Sequence, residues 1–196
     1  MSFNNLLVVG LGNPGVEYQK TRHNVGSDFV RFLSHNLDIS LKKEEKFSCS
    51  YGCKQLEEIK IHLSIPTVYV NESGQTISRI KKYLKLSLEE ILIVHDELDL
   101  PTGKLKLKGS GGHGGHNGLK NIIDHLQGKT SFKRLRIGIS RPGKDQDVTN
   151  YVLSRSSKKE RDILENAMLN GLPIIDKITQ EGWEQAVMDL HTEEGS

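Results

Sequence analysis

One stretch near the start of the chain constrains the fold more than any other part of the sequence. Residues 6–9 (LLVV) read as a short buried strand, and the loop at residues 10–15 (GLGNPG) ends it abruptly. Glycine lets the backbone turn sharply and approach a ligand closely. Asn13 lies in that loop, and His23 follows shortly before an amphipathic helical segment. Because loops on a rigid scaffold carry function disproportionately, this stretch predicts a binding or catalytic site.

The bulk properties of the chain set its class. Its 196 residues are enough for a single domain with one sizeable core. No apolar run reaches the roughly 18 residues of a membrane helix, and the chain does not open on the basic and apolar segments of a signal peptide. Its two cysteines are too few for a disulfide framework. We therefore expect a cytoplasmic protein with no membrane partner.

Charge is spread unevenly along the chain. The formal net charge is +2, but residues 101–144 carry ten Lys or Arg and one acidic residue, a net charge of +9. The remaining residues comprise 17 basic and 24 acidic ones, a net charge of −7. This asymmetry favours a polyanionic partner, with a solvated basic face as the alternative. Aromatic residues are sparse there, which favours contacts with a nucleic-acid backbone. The basic side chains that could bind phosphates are Lys104, Lys106, Lys108, Lys120, Lys133, Arg134, Arg136 and Arg141.

Apolar periodicity predicts alternating strands and helices with one hairpin inserted. The predicted strands cover residues 6–9, 47–55, 59–65, 91–94, 104–108 and 135–139. The predicted helices cover residues 29–37, 77–84, 119–126, 148–153, 158–180 and 183–190. Gly171 and Pro173 are expected to interrupt the fifth helix. The predicted class is therefore α/β, with a mixed sheet flanked by helices. We expect one domain over residues 1–196, with a C-terminal helical region at about 158–190 that packs on or near the sheet and its helices.

The loop at residues 10–15 matches the G-x-G-x-x-G pattern of dinucleotide-binding proteins, but its context does not fit. In those proteins the loop opens directly onto a helix whose N-terminus holds the pyrophosphate. Here Pro14, Tyr18 and His23 precede any convincing helix, and no acidic residue ends a second strand at the expected distance. We therefore do not expect a dinucleotide cofactor.

Four loops that follow predicted strands each carry a polar group. These groups are Asn13 with His23, then Asn71, Asp96 and Asn117. Such loops gather at one edge of an α/β sheet, where ligands bind. In this set a histidine could take a proton from water, an aspartate could orient the imidazole and stabilise its cation, and amides could hold a carbonyl and the developing oxyanion. The residues therefore predict a hydrolase that activates water.

Covalent catalysis fits the sequence less well than water activation. A nucleophilic serine would be expected in a G-x-S-x-G motif, which the chain lacks. Cys49 and Cys53 lie on a predicted strand without a nearby histidine, and this favours buried, inert thiols.

A metal site is a further alternative. Its candidate ligands are His95, Asp96, His113 and His116. His113 and His116 have a short ligand spacing, but the surrounding glycines do not fix their geometry. Metal-dependent hydrolysis therefore stays open as a second interpretation.

Five segments of the chain resemble the bacterial-type peptidyl-tRNA hydrolase family. They are GLGNPGVEYQKTRHNVG, PTVYVNESG, HDELDLPTG, GGHGGHNGLK and RLRIGISRPG. They cover most of residues 6–143 in order, whereas the C-terminal helices match only in character. The resemblance implies a mixed, twisted sheet in a cytosolic monomer without metal or cofactor. It also implies cleavage of the ester that joins a peptide to the terminal ribose of tRNA.

The resemblance further implies roles for individual residues. His23 corresponds to the family's catalytic base, and Asp96 to the partner that keeps it basic. Asn13 is implied to separate N-blocked from free aminoacyl-tRNA, while Asn71 and Asn117 hold the substrate and the attacking water. The residues that fall where the family contacts the substrate's end or the tRNA are Tyr18, Tyr69, Lys106, Lys108 and Arg136.

Two departures from the family pattern stand out. Many members have Phe-Met directly before Asn71, where this chain has Tyr69 and Val70, and this alters the expected shape of the peptide pocket. Ser110 interrupts a glycine run. The alternative from another functional class is a non-catalytic RNA-binding protein with the same fold, and the presence of both His23 and Asp96 argues against it.

Overall fold

The apolar run at the start of the chain forms the buried centre of a sheet. In the computed structural model, which describes residues 4–192, strand β1 (Asn5–Gly10) lies between two parallel neighbours. Its side chains alternate between the two faces, so Leu6 packs into one core and Leu7 into the other. Because both faces are covered, the run contains no polar residue.

Seven strands form one mixed sheet among the described residues. After β1 they are β2 (Lys42–Glu44), β3 (Cys49–Leu56), β4 (Ile59–Pro66), β5 (Ile91–Glu97), β6 (Leu105–Lys108) and β7 (Lys133–Gly138). Their order is β2-β3-β4-β1-β5-β7-β6, and the four strands from β4 to β7 in this order run parallel. The outer strands are antiparallel to their neighbours. On β3, Cys49 is buried as expected, whereas Cys53 is exposed, which corrects that expectation.

Helices cover both faces of the sheet and confirm the predicted α/β class. They are α1 (Val25–Asn36), α2 (Ser73–Leu84), α3 (Asn117–His125), α4 (Val148–Leu153), α5 (Lys158–Gln180) and α6 (Trp183–Thr192). Helices α1, α5 and α6 pack on one face, and α2 and α3 on the other. Within residues 4–192, none of the helices is both long and apolar enough to span a membrane.

Helix α5 is continuous where the sequence predicted an interruption. Pro173 lies inside it, although proline in a helix interior costs about 3 kcal/mol. A stripe of buried side chains offsets this cost, namely Leu164, Ala167, Ile174, Ile175 and Ile178. At Gly171, an added Cβ would lie 2.4 Å from the ring of Phe29 in α1. The glycine therefore permits a close contact between two helices rather than ending one.

Two glycines set the distance between β1, β5 and the start of α1. A Cβ on Gly26 would lie 2.2 Å from the carbonyl oxygen of Val94, and one on Gly10 would lie 2.3 Å from the carbonyl oxygen of Gly26. Any side chain at either position would push backbone segments apart. Because His23 lies just before Gly26 and Asp96 just after Val94, this close approach brings the two predicted catalytic residues together.

We expect Gly26→Ala to lower both stability and turnover. The added methyl group would meet backbone atoms of Leu11 and Val94, which cannot rotate away. Overpacking of this kind costs roughly 1–3 kcal/mol, or about 2–12 °C in Tm for a chain of this size. Calorimetry would measure the change in stability, and an assay of the hydrolysis that the family resemblance implies would measure the change in turnover.

Gly143→Ala is the matched control. An added Cβ at Gly143 meets nothing within 4 Å, so its Tm should change by no more than about 2 °C. A Gly26→Ala protein with the Tm and the turnover of the wild type would show that the close approach is not required.

Candidate active site

His23 and Asp96 meet where the start of α1 approaches β5. His23 lies in the 3₁₀ turn Arg22–Asn24, and Asp96 lies near the end of β5. The Nδ1 atom of His23 is 3.0 Å from both carboxylate oxygens of Asp96. An ionised carboxylate only accepts hydrogen bonds, so Nδ1 carries the proton and Nε2 keeps a lone pair. His23 lines a cleft, so an imidazole in this tautomer can act as a base towards a molecule bound there.

His116 is a second imidazole on the same carboxylate. Its Nε2 atom is 3.0 Å from Oδ1 of Asp96. Its Nδ1 atom accepts hydrogen bonds from the backbone N–H groups of Gly118 and Leu119, which makes His116 the N-cap of α3. Because Nδ1 accepts, Nε2 carries the proton and donates it to Asp96. In the sequence His116 stood out only as a possible metal ligand, and histidine is not among the residues that typically cap a helix N-terminus.

Burial and ion pairing act in opposite directions on this group of residues. Burial raises the pKa of Asp96, but the two imidazoles outweigh it and hold that pKa well below its usual range. Burial lowers the pKa of His23, but the charge of Asp96 and the hydrogen bond to it outweigh burial, so the pKa of His23 is raised. Asp96 therefore stays ionised and makes His23 a stronger base.

His95 supports the carboxylate from within the strand. Its Nδ1 donates to the backbone carbonyl oxygen of Asp96 at 2.7 Å, and its ring packs edge-on against His116 with the centroids 5.1 Å apart. Burial, followed by the neighbouring His116, lowers the pKa of His95 to about 3. His95 is therefore neutral at neutral pH and forms no ion pair with Asp96 in place of His23.

The side chain of Asn13 is oriented by its neighbours. Its oxygen accepts a hydrogen bond from the backbone N–H of Val70 at 2.9 Å. Asn24 holds the backbone of Asn13, because its Oδ1 accepts from the Asn13 N–H at 2.8 Å and its Nδ2 donates to the Asn13 carbonyl at 3.0 Å. Asn13 lines the cleft, and with its oxygen engaged its NH₂ group can donate to a molecule bound there. No sequence pattern pointed to this role for Asn24.

Most of the predicted site residues line one cleft of about 590 Å³. They are Asn13, His23, Tyr69, Asn71, Asp96 and Asn117. Tyr18 packs edge-on against Tyr69, with the ring centroids 6.2 Å apart. Helix α4 forms one wall of the cleft through Val148, Thr149, Val152 and Leu153. The strand-end rule therefore predicted which loops would gather, but not the helix that closes the cleft.

The predicted tRNA-contacting residues lie on β6 and β7, the last two strands at one edge of the sheet. Lys106 and Lys108 lie on the edge strand β6, and Arg136 lies on β7 directly opposite Lys106. Like charges opposite each other on paired strands are destabilising. Glu97, 3.5 Å from Arg136, offsets part of this charge. A surface that keeps like charges together suits an anionic partner.

Two basic side chains that were expected to bind phosphates have partners inside the protein instead. Arg134 is buried, and its guanidinium donates to the carbonyl oxygens of Gly111 and Gly112. Lys133 is also buried, with its Nζ 5.0 Å from the centre of the Trp183 ring. The reason is that β7 is an interior strand covered on both faces, so alternation along it does not expose every second residue.

The structure also changes the set of possible metal ligands. Among the described residues, the ligand atoms that come together belong to His23, Asp96 and His116, all within 4.8 Å of one another. His95 and His113, which the sequence suggested, do not belong to this group. A metal ion would have to displace the protons that His23 and His116 share with Asp96.

A buried carboxylate between two imidazoles, in a cleft lined with amides at the strand ends of an α/β sheet, is typical of an enzyme active site. The model of the family described as peptidyl-tRNA hydrolase matches residues 7–196. The chain belongs to this family, as the resemblance in its sequence implied. Because the family cleaves the ester bond of peptidyl-tRNA, the chain is a hydrolase with a role in translation.

Similar proteins agree in sequence and in structure. The peptidyl-tRNA hydrolase of Saccharophagus degradans is 43% identical over 186 residues, which cover 95% of this chain and 94% of the relative. That of Coxiella burnetii is 45% identical over 187 residues, which cover 95% and 97%. The crystal structure of the Acinetobacter baumannii peptidyl-tRNA hydrolase has 39% identity and a TM-score of 0.90, with coverage of 97% and 96%. A methylthioadenosine nucleosidase from Arabidopsis thaliana, with 6% identity, a TM-score of 0.56 and coverage of 92% and 98%, shares the fold alone.

We expect Asp96→Asn to lower kcat by roughly 10²–10⁴-fold, because an amide does not stabilise the imidazolium or hold the required tautomer. The charge of Asp96 raises the pKa of His23, whereas burial lowers it. With the charge removed and burial kept, that pKa falls. The acid limb of the kcat/KM profile, which reports the base of the free enzyme, should therefore move to lower pH.

Asp99→Asn serves as the control for this change. Asp99 also lines the cleft, but its Oδ1 accepts a hydrogen bond from Arg141 at 2.7 Å rather than from a histidine. The acid limb of the kcat/KM profile of Asp99→Asn should match that of the wild type. An unmoved acid limb in a folded Asp96→Asn protein would show that Asp96 does not set the basicity of His23.

Proposed function

We propose that His23 activates the water molecule that cleaves the peptidyl-tRNA ester. The contact of its Nδ1 with both oxygens of Asp96 supports this role more than any other observation. Nε2 takes a proton from water as the water oxygen attacks the ester carbonyl carbon. The imidazolium then returns that proton to the departing ribose oxygen, and Asp96 stabilises the imidazolium in the meantime.

Asn71 and Asn117 hold the substrate and the attacking water. Asn71 lies in the 3₁₀ turn Val70–Glu72 after β4, Asn117 is the first residue of α3, and both line the cleft. Attack on the ester places negative charge on the carbonyl oxygen. The amide NH₂ groups of these two side chains can donate to that oxygen and stabilise its charge.

Asn13 discriminates between N-blocked and free aminoacyl groups. A blocked group carries an additional carbonyl oxygen, whereas a free ammonium group offers only donors. Because the N–H of Val70 holds the amide oxygen of Asn13, the NH₂ group of Asn13 can donate to that carbonyl. A free aminoacyl-tRNA leaves this donor without an acceptor, and a polar group left unsatisfied costs about 1–3 kcal/mol.

The aromatic pair Tyr18 and Tyr69 contacts the end of the substrate. Tyr69 is half-exposed and lines the cleft, and Tyr18 braces it through an edge-on contact. A ring supported in this way offers a face for a nucleobase or an apolar peptide side chain.

The acceptor end of the tRNA lies along β6 and β7. Lys106, Lys108 and Arg136 bind its phosphates, which balance the like charges that these strands bring together. Contacts with phosphates fix orientation without reading sequence, so different tRNAs are accepted. In this proposal the protein acts as a monomer in the cytoplasm, where translation produces its substrate.

His23→Ala should abolish most turnover of an N-blocked aminoacyl-tRNA and leave tRNA binding intact. General acid–base groups contribute about 10²–10⁴-fold, so a loss of that size is expected in single-turnover rates. Fluorescence anisotropy with deacylated tRNA would measure binding separately. Hydrolysis at the rate of the wild type by a folded His23→Ala protein would refute the assignment.

The same assay separates the alternatives. A non-catalytic RNA-binding protein would bind tRNA but release no peptide, even as the wild type. A metal-dependent hydrolase would lose activity to a zinc-selective chelator and regain it with added zinc. We expect activity to survive chelation, because the imidazoles of His23 and His116 already satisfy the carboxylate of Asp96 through hydrogen bonds.

Lys108→Ala should weaken tRNA binding and flatten its dependence on salt. Each phosphate contact contributes a log–log slope of about −0.7 to −0.9, so the loss of one contact removes about one unit. KM should rise with kcat nearly unchanged, because a contact remote from the ester stabilises the ground and transition states equally. Lys106→Ala should behave in the same way.

Lys42→Ala is the matched control, because Lys42 is an exposed lysine on β2, the opposite edge of the sheet. Its KM and salt slope should match those of the wild type. A peptide esterified to a short nucleoside fragment should be cleaved equally by all variants. If the lysines of β6 only solvate an edge strand, Lys108→Ala will behave like Lys42→Ala on full-length tRNA.

A further inference from the structure

Arg22, the residue directly before His23, makes a bidentate ion pair with a helix far along the chain. Its Nε is 2.9 Å from Oε1 of Glu160, and its Nη2 is 2.8 Å from both Oε1 and Oε2. The Arg22 side chain is 11% exposed and that of Glu160 23%, so the pair is largely shielded from solvent. Such a fork holds a guanidinium in a fixed orientation as well as neutralising it.

The remaining donor of Arg22 holds the end of α4. Nη1 donates to Oγ of Ser154 at 2.6 Å and to the carbonyl oxygen of Tyr151 at 3.3 Å. The guanidinium also lies over the Tyr151 ring, 4.2 Å from its centre. Tyr151 in turn donates its hydroxyl to the carbonyl oxygen of Ile139, just beyond β7. Arg22 therefore joins the turn of His23 to α4 and α5, and Tyr151 extends this link to the exit of β7.

The backbone reinforces this junction. Thr21 and Arg155 form an antiparallel bridge, and the N–H of Ser156 donates to the carbonyl oxygen of Lys20 at 3.0 Å. Glu160 itself is held by a capping box, because its carboxylate accepts from the backbone N–H of Ser157 at 2.7 Å. Burial opposes ionisation of Glu160, but Ser157 and Arg22 lower its pKa, so the carboxylate remains charged.

Two parts of the active site depend on this junction. Arg22 and His23 belong to the same 3₁₀ turn, so the direction of the Arg22 side chain constrains the direction of the His23 side chain. Helix α4, whose end Arg22 holds, supplies Val152 and Leu153 to the wall of the cleft. We propose that Arg22, anchored by Glu160, is a positioning residue that fixes His23 against Asp96 and α4 against the cleft. This role rests on the proposed function of His23 as the base.

Arg22→Lys tests the role directly. Lysine keeps the positive charge beside His23 but is a point donor that cannot form the fork to Glu160 and reach Ser154 at the same time. The groups that face His23, Asp96 on β5 and His116 before α3, are unchanged by this substitution. We expect kcat to fall by roughly 10- to 100-fold, as for a misplacement of about 1 Å, with a smaller change in KM for full-length peptidyl-tRNA.

A second measurement does not depend on activity. The pKa of His23 can be followed by NMR titration of its ring Cε1–H, assigned from the resonance missing in His23→Gln. Loosening of the turn weakens the influence of Asp96, which raises this pKa, so the pKa should fall in Arg22→Lys. A Tm below that of the wild type with an unchanged kcat and an unchanged His23 pKa would overturn the proposal, because it would mean that Arg22 only stabilises the fold.

Two further variants complete the test. Glu160→Gln keeps an acceptor for Arg22, so its kcat and His23 pKa should lie between those of the wild type and Arg22→Lys. If the Arg22→Lys protein fails to fold, Glu160→Gln takes its place in the test. A kcat and a His23 pKa equal to those of the wild type would overturn the proposal.

The control is Lys177→Gln, which removes the ion pair between Lys177 of α5 and Asp189 of α6. Its Tm should fall while its kcat and His23 pKa stay as in the wild type.

The outcomes distinguish this proposal from the proposed function. If wild-type protein hydrolyses peptidyl-tRNA and His23→Ala does not, the function stands, and only the Arg22 results decide the positioning role. If His23→Ala remains active, the assignment of the base fails, whereas a shifted His23 pKa in Arg22→Lys would still show that Arg22 sets the geometry of the turn.

Discussion

The meeting of three backbone segments at Gly10, Gly26 and Val94 is the constraint on which the site depends. The N–H of Leu11 donates to the carbonyl oxygen of Val94 at 3.0 Å, and the N–H of Ser27 donates to the carbonyl oxygen of Leu11 at 2.8 Å. The end of β1 is thus bonded to β5 on one side and to the start of α1 on the other. No side chain separates the segments at the two glycines, so the distance from the turn before α1 to β5 is set by backbone contact. The pairing of histidine and aspartate is therefore built into the sheet and does not rely on a mobile loop.

The charge of Asp96 also ties the start of helix α3 to β5 and to the turn before α1. A carboxylate that is 5% exposed needs donors to offset the loss of water, and the imidazoles of His23 and His116 supply them. Because His116 also caps α3, the same charge ties β5, the turn before α1 and the start of α3 together. The neutral His95 bonds the carbonyl of Asp96 without adding a positive charge to the group. The site is thus electrostatically organised before substrate arrives, which is how enzymes stabilise charge that develops during reaction.

The sequence predicted those features whose cause lies within a short segment, and it missed those that need contacts between distant ones. The strand that ends in glycines and the gathering of polar strand-end loops both follow from local rules, and both are present. Gly171 was read as a helix breaker because Phe29, whose ring explains it, lies far away along the chain. Arg134 was read as a phosphate ligand because alternation does not reveal that β7 is buried on both faces. The link between His116 and Asp96 likewise depends on how α3 is placed on the sheet, which no periodicity encodes.

The departure from the family pattern at Tyr69 and Val70 affects the two positions differently. Position 70 acts through its backbone, since its N–H holds the oxygen of Asn13, and any residue except proline supplies that donor. Its buried side chain faces Gly118, where an added Cβ would lie 2.6 Å from Cγ1 of Val70, so a compact residue fits this space. Position 69 acts through its side chain, because the ring is half-exposed and packs edge-on against Tyr18 at the cleft. Tyrosine in place of phenylalanine therefore adds a hydroxyl at the cleft, where the proposed contact with the end of the substrate lies, and leaves the orientation of Asn13 unchanged. Under the proposed function, the departure therefore affects which substrate ends are preferred rather than the chemistry of the ester.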